Sequence, residues 1–208
     1  MRVIEQRYDW ATTLFPREVT THLILHHMAG SGFTAQEVHQ YHKSNNGWSG
    51  IAYHYYIRKD GQIYRGRPEG AKGGHTKDWN YCSIGICFEG NFEKEKMPAK
   101  QKEAGLALVA DIRERYPGIV VGGHNEYNAT ACPGKNFPMD EFKEAGEMNG
   151  EQIYEKLQAY LATLPVPDWA AKELDEAVKA GITDGKNPMQ LVPRYQAAIM
   201  AKRAAKKK

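Results

Sequence analysis

No run in the 208 residues approaches the roughly 20 consecutive apolar side chains that a membrane-spanning helix needs. The opening stretch, MRVIEQRYDWATTLF, is too polar and interrupted for the apolar region of a secretory signal. The product is therefore expected in the cytoplasm when made, with no membrane partner. Three cysteines are too few for a disulfide framework. Cys82 and Cys87 fall in a β-like run, and only Cys132, in a polar loop, has an evident chemical setting. A basic stripe is also lacking: the formal net charge is +3, and much of it sits in the terminal AKRAAKKK. A nucleic-acid binder carries Lys and Arg through its folded part, so no nucleic-acid partner is expected. Internal repeats are absent. What is present is ordinary for a globular protein, with 41% hydrophobic and 25% charged residues, enough to build a core.

The pattern along the chain alternates strands and helices. Thr21 to His27 (THLILHH) is a β-rich apolar run ending in two histidines at the mouth of a Gly-containing loop. Thr34 with Glu37 matches a capping box, and Val38, Tyr41 and His42 follow at helical spacing until Asn46-Gly47, with His39 and His42 expected on a polar face. Ala52 to Ile57 and Gln62 to Arg65 flank an Asp60-Gly61 hairpin signal, which places Tyr53 and His54 on opposite faces of a strand. A Gly-rich loop, Gly66 to Asn80, leads to Cys82–Phe88 (CSIGICF), which reads as a buried central strand. Pro98 opens a helix that Pro117-Gly118 stops, and Ile119 to Val121 is a further strand feeding the loop Gly122 to Pro138. From Pro138 to about Leu164 the chain reads as helical.

These elements predict an α/β fold, a mixed central β-sheet flanked by helices, with a small helical C-terminal module. The expected boundaries are a catalytic domain over residues 1–147, a helix and linker over 148–167 ending in Pro165-Val166-Pro167, and a module over 168–208. That module is too short to bury a substantial core alone.

The chemistry gathers in Gly123-His124-Asn125-Glu126 through Thr130-Ala131-Cys132-Pro133-Gly134, where a histidine and a cysteine stand eight residues apart in one loop. Imidazole nitrogen and thiolate sulfur are both good ligands for Zn2+, and a catalytic zinc site takes three protein ligands with one position open. His26 and His27, at the end of another strand, can supply the third. Adjacent strand residues face opposite ways, so one of the pair is expected to reach the metal.

Four segments in this order, ILHHMAG, GIAYHYYIRKDGQIYRGR, GGHTKDWNYCSIGICFEGNF and GGHNEYNATACPGKNFP, resemble the type-2 N-acetylmuramoyl-L-alanine amidases, a family that includes phage lysozyme-type amidases and peptidoglycan recognition proteins. The resemblance covers about residues 20 to 145 and implies a zinc enzyme that hydrolyses the amide between N-acetylmuramic acid and L-alanine in peptidoglycan. It implies His26, His124 and Cys132 as ligands. Family members show the first ligand followed by His, Asn or Cys and then Thr or Ser, which favours His26, although Met28 stands in that last place. Tyr53 matches the family's catalytic tyrosine, and Thr130 occupies the position of a catalytic Lys or Thr. Where some relatives carry a Glu base this chain has Cys87, expected to be a small core residue, and Glu126, in the loop of the zinc ligands, is a candidate base whose plainer reading is a solvated loop carboxylate. His75, Trp79 and Asn80 correspond to a substrate-groove loop, and Arg65 and Arg67 could meet carboxylates of the stem peptide.

Trp169-Ala170, Ala177-Val178 and Gly181-Ile182-Thr183-Asp184-Gly185 resemble part of an S-layer-homology unit, a wall-anchoring repeat. Together with the start of the chain, this implies a phage or prophage endolysin, acting as a monomer on the cell wall after release at lysis. The alternatives are a cytosolic muropeptide-recycling amidase and a peptidoglycan-binding protein that does not cut.

Overall fold

The computed structural model describes residues 1–147, 150–183, 185, 186, 189, 197–199 and 202. The chain divides into two compact units, Met1–Glu147 and Met148–Lys208. In the first, a six-stranded sheet has the order β1-β4-β3-β5-β2-β6. Its strands are β1 (Val3–Ile4), β2 (His22–His27), β3 (Tyr55–Ile57), β4 (Ile63–Arg65), β5 (Ser83–Phe88) and β6 (Val120–Gly123). All pairings are parallel except the β3–β4 hairpin, so the sheet is mixed, as the strand-helix alternation predicts.

Parallel neighbours need crossovers, and two helices in this unit serve, one on each face of the sheet. Helix α1 (Ala35–Ser44) starts at the complete capping box of Thr34 and Glu37. Helix α2 (Ala99–Arg115) starts after Pro98 and runs to Tyr116. Side-chain alternation sorts the strands between them. Leu23 and Leu25 of β2 with Ile84, Ile86 and Phe88 of β5 pack against Leu108, Val109 and Ile112 of α2. On the other face, Tyr56 and Cys87 pack with Ala35 and Val38 of α1 and with Ile51. Each fully buried aliphatic side chain contributes about 1.5–3 kcal/mol.

Three features depart from the sequence reading. β1 pairs with β4 at the sheet edge, where no strand was expected. The strand before the hairpin begins at Tyr55, leaving Tyr53 in an irregular lead-in. The helix expected from Pro138 to about Leu164 is broken: α3 (Met139–Glu144) ends before Gly146, whose φ of 73° is left-handed, and α4 (Gly150–Ala162) begins afresh in the second unit.

In that second unit, α4 carries half-exposed Ile153, Tyr154, Leu157 and Tyr160, and α5 (Asp168–Lys179) follows Pro167. The wall-anchoring resemblance falls partly outside the described residues, since Asp184 is not among them, and neither are the terminal lysines beyond residue 202. No helix among the described residues is long and apolar enough to cross a membrane.

Candidate metal centre and active site

Three chain segments meet at the C-terminal ends of β2 and β6. His26 is the penultimate residue of β2 and only 1% exposed, on the face covered by α1. His27 points to the opposite face, where its Nδ1 accepts a hydrogen bond from the Phe92 amide at 3.2 Å. The β2–β6 register pairs Leu25 with Gly123, so the next residue, His124, emerges beside His26, with ring centroids 4.5 Å apart.

The loop after His124 doubles back. The Asn125 amide donates to the Cys132 carbonyl at 2.8 Å, and Thr130 Oγ1 accepts from the Cys132 amide at 3.2 Å. Gly134 closes the turn with φ 103°, and any Cβ there would lie 2.5 Å from the backbone of Phe92, so only glycine fits. These bonds deliver Cys132 Sγ to 3.7 Å from His26 Nδ1.

One ligand atom from each of His26, His124 and Cys132 lies within 4.8 Å of the other two. Zinc bonds of about 2.0–2.3 Å at tetrahedral angles put ligand atoms about 3.3–3.7 Å apart, so the Cys132–His26 pair already stands at ligand spacing and the cluster closes by roughly 1 Å to hold an ion. Both histidines are anchored through Nε2, His26 on His75 Nδ1 at 3.0 Å and His124 on Asn128 Oδ1 at 3.1 Å. That leaves both Nδ1 atoms for a metal. Burial, then the neighbouring His124 and His27, hold His26 well below the usual histidine range, and burial lowers His124. Both are thus neutral, the form that binds metal. Burial pushes the Cys132 thiol up to about 11, so it needs a cation to become a thiolate.

Tyr53 flanks this cluster, its ring centroid 5.2 Å from that of His26. Burial, reinforced by the nearby Cys87 and Cys132 thiols, pushes its hydroxyl well above the usual range, so it stays a proton donor. The lead-in that carries it is held from α1. His39 Nδ1 accepts from the Ile51 amide and His42 Nδ1 from the Ala52 amide, both at 3.1 Å. The expectation that His39 and His42 lie on a polar face is corrected: they are 0% and 4% exposed, because the irregular segment has amides that need buried acceptors. Their i, i+3 spacing on one helix face was the available signal.

The remaining candidates separate. Thr130 is exposed and braces the cysteine turn. His75 is buried behind His26 rather than lining an open groove. Asn80 Oδ1 accepts from the amides of His75 and Thr76, which fixes that loop. Trp79 packs its ring on His22, at the start of β2, and on Tyr127. Arg65 is not brought to the site: it lies on the α2 face of the sheet, over the Tyr55 ring and within 3.8 Å of Glu69. Arg67 is 7% exposed and donates to the carbonyls of Ile51 and Lys72, leaving its guanidinium no open approach to a carboxylate. Glu126 is engaged by the Gly123 amide and Lys143. Cys87 is fully buried beside Tyr53, its thiol pushed well up by that burial. His54 accepts from the Gly85 amide and donates to the Ala71 carbonyl.

The family model described as N-acetylmuramoyl-L-alanine amidase matches residues 16–135, which include every one of these segments. Peptidoglycan-recognition protein SC2 of Drosophila melanogaster is 32% identical over 128 residues, spanning 56% of this chain and 70% of that protein. The endolysin of Escherichia phage T7 is 32% identical over 141 residues, spanning 64% of this chain and 91% of the endolysin. Among solved structures, an endolysin N-acetylmuramoyl-L-alanine amidase from Clostridium intestinale superposes with a TM-score of 0.66 at 40% identity, covering 68% of this chain and 93% of that one.

Proposed function

Since the chain belongs to the N-acetylmuramoyl-L-alanine amidase family, we propose that it is a zinc-dependent hydrolase of the amide between N-acetylmuramic acid and L-alanine, acting on cell-wall peptidoglycan as an endolysin. The observation that carries this reading is the His26–His124–Cys132 cluster with Tyr53 at its side. Two neutral imidazoles and one thiol are a donor set suited to zinc, and one thiolate would leave the site net positive. When bound, zinc supplies Lewis-acid polarisation of the scissile carbonyl and a water nucleophile of lowered pKa.

The chain's own residues then do the rest. Tyr53, kept protonated by burial, donates a hydrogen bond to the carbonyl oxygen as negative charge develops on it. Thr130 holds the cysteine turn with its oxygen and retains a hydroxyl proton to offer the same oxyanion. No cationic side chain is available at either position, so neutral donors carry this stabilisation. Within this reading the C-terminal unit retains the enzyme on the wall, and the protein acts as a monomer. A non-cutting binding protein of the same family is the second reading, and the complete ligand set with Tyr53 favours the hydrolase.

Metal analysis and zymography on intact cell walls, for the wild type beside Cys132→Ala and Tyr53→Phe, test the proposal. One zinc per chain, loss of zinc in Cys132→Ala, and retained zinc with a drop of about 100-fold or more in rate for Tyr53→Phe are expected. Unchanged lysis in both variants would refute it. Activity confined to soluble muropeptides would instead favour a recycling amidase.

A further inference from the structure

The buried loop behind His26 contains polar groups that the proposed mechanism does not use. His75 Nδ1 lies 3.0 Å from His26 Nε2, and Thr76 Oγ1 lies 2.9 Å from the former and 3.4 Å from the latter. His75 itself sits in a slot cleared of side chains. A Cβ on Gly85 of β5 would come within 2.5 Å of the His75 ring, and one on Gly73 within 2.6 Å. Asn80 Oδ1 ties down the amides of both His75 and Thr76, at 2.8 and 3.0 Å.

The proton assignment follows from the chemistry of imidazole. For His26 to offer the lone pair of Nδ1 toward Cys132, its Nε2 must carry the proton, which then has to be donated. The acceptor within best reach is His75 Nδ1. If His75, 8% exposed, accepts there as a neutral imidazole, its own proton sits on Nε2, a buried atom with no hydrogen-bond partner among the described residues. A buried donor left unpaired is unfavourable and calls for a reason. Fixing the His26 tautomer is such a reason.

We propose that His75 is a positioning residue for the metal centre: accepting at Nδ1, it favours the Nε2-protonated tautomer of His26 and aims its Nδ1 at the ion. The inference rests on the zinc reading above and assigns this loop a role in metal affinity rather than in contact with substrate. Thr76, Asn80, Gly73 and Gly85 hold the His75 ring in register.

The test compares zinc affinity, by chelator competition, and the thiolate-to-cobalt charge-transfer band of the cobalt-substituted protein. His75→Leu removes the acceptor, while His75→Asn keeps an oxygen near the position of Nδ1. Loss of such a partner weakens metal binding by about 10–100-fold. His75→Leu is expected to show that loss with a shifted cobalt band, and His75→Asn to stay within about threefold of wild type. Zinc affinity of folded His75→Leu equal to wild type overturns the proposal. If His75→Leu does not fold, nitrogen-15 shifts of the zinc-loaded wild type decide: His75 protonated on Nε2 alone supports the lock, and His75 protonated on Nδ1 overturns it. Absence of zinc binding by the wild type would be a failure of the metal reading itself, seen before any variant is compared.

Discussion

The Sγ of Cys132 accepts a hydrogen bond from the backbone amide of His27, 3.4 Å away. His27 therefore serves the cluster through its main chain, while its ring serves the opposite face of the sheet. The paired histidines divide the work between backbone and side chain.

His27→Ala should accordingly keep its zinc, and His26→Ala should lose it. Removing the His27 ring leaves the Phe92 amide without an acceptor, so that variant should lose about 1–3 kcal/mol of stability. Metal content and urea denaturation of the two variants, measured together, check both halves. Zinc retained by His26→Ala and lost by His27→Ala would reverse the assignment.

Packing on the other face makes a separate prediction. Gly105 lets α2 approach the sheet, and a Cβ there would lie 2.6 Å from Phe88 and 2.8 Å from Phe142, both fully buried. Gly105→Ala should destabilise the fold by about 1–3 kcal/mol, with zinc affinity unchanged because the metal cluster occupies the far face of β2. Thermal unfolding alongside chelator competition would show whether the two properties separate.

Acid sensitivity follows from two buried neutral histidines. Burial, with Arg67 and His39 adding to it, lowers His42 to about 4, and burial lowers His54 to about 3. Both folded-state values lie below that of the unfolded chain, about 6.5, so the unfolded state takes up protons first as the pH falls. The stability they contribute is complete above about pH 6.5 and is lost below it, at up to about 1.4 kcal/mol per pH unit for each residue. Urea midpoints between pH 7.5 and 4.5 should show this decline. His42→Asn, which keeps an acceptor for the Ala52 amide, should remove about one proton's share of the slope.

Stripping the metal should abolish wall lysis without unfolding the protein, because both faces of the sheet carry hydrophobic cores apart from the cluster. Readded zinc at about 100 times its dissociation constant should restore lysis and add about 2.7 kcal/mol to stability. Since the Cys132 thiol holds its proton up to about 11, uptake near pH 7.5 should release about one proton, measurable by calorimetry in buffers of different ionisation heat. No proton release would mean the thiol is not a ligand.

Local signals were legible wherever the interaction is local. The Thr34–Glu37 capping box, the Asp60-Gly61 hairpin and the apolar strand Ser83–Phe88 all formed where their patterns lie. The break is marked by Gly146 and by Asn149-Gly150, but helical spacing on either side of them runs on as one pattern, so only the left-handed φ at Gly146 shows where the first helix stops. β1 is two residues long, too short for any periodicity, and exists only because β4 offers it an edge.

By itself, the sequence determined the mixed α/β fold and the residue types of the candidate site, since strand period, caps and the four motifs are written in neighbouring residues. Only the tertiary structure decided which side chains meet. The β2–β6 register sets His124 beside His26, strand alternation turns His27 and Arg65 away, and burial moves His75, His39, His42 and Arg67 from surface roles to internal support. The physical reason is that register, facing and burial depend on pairings between residues distant in the chain, which composition and spacing do not encode.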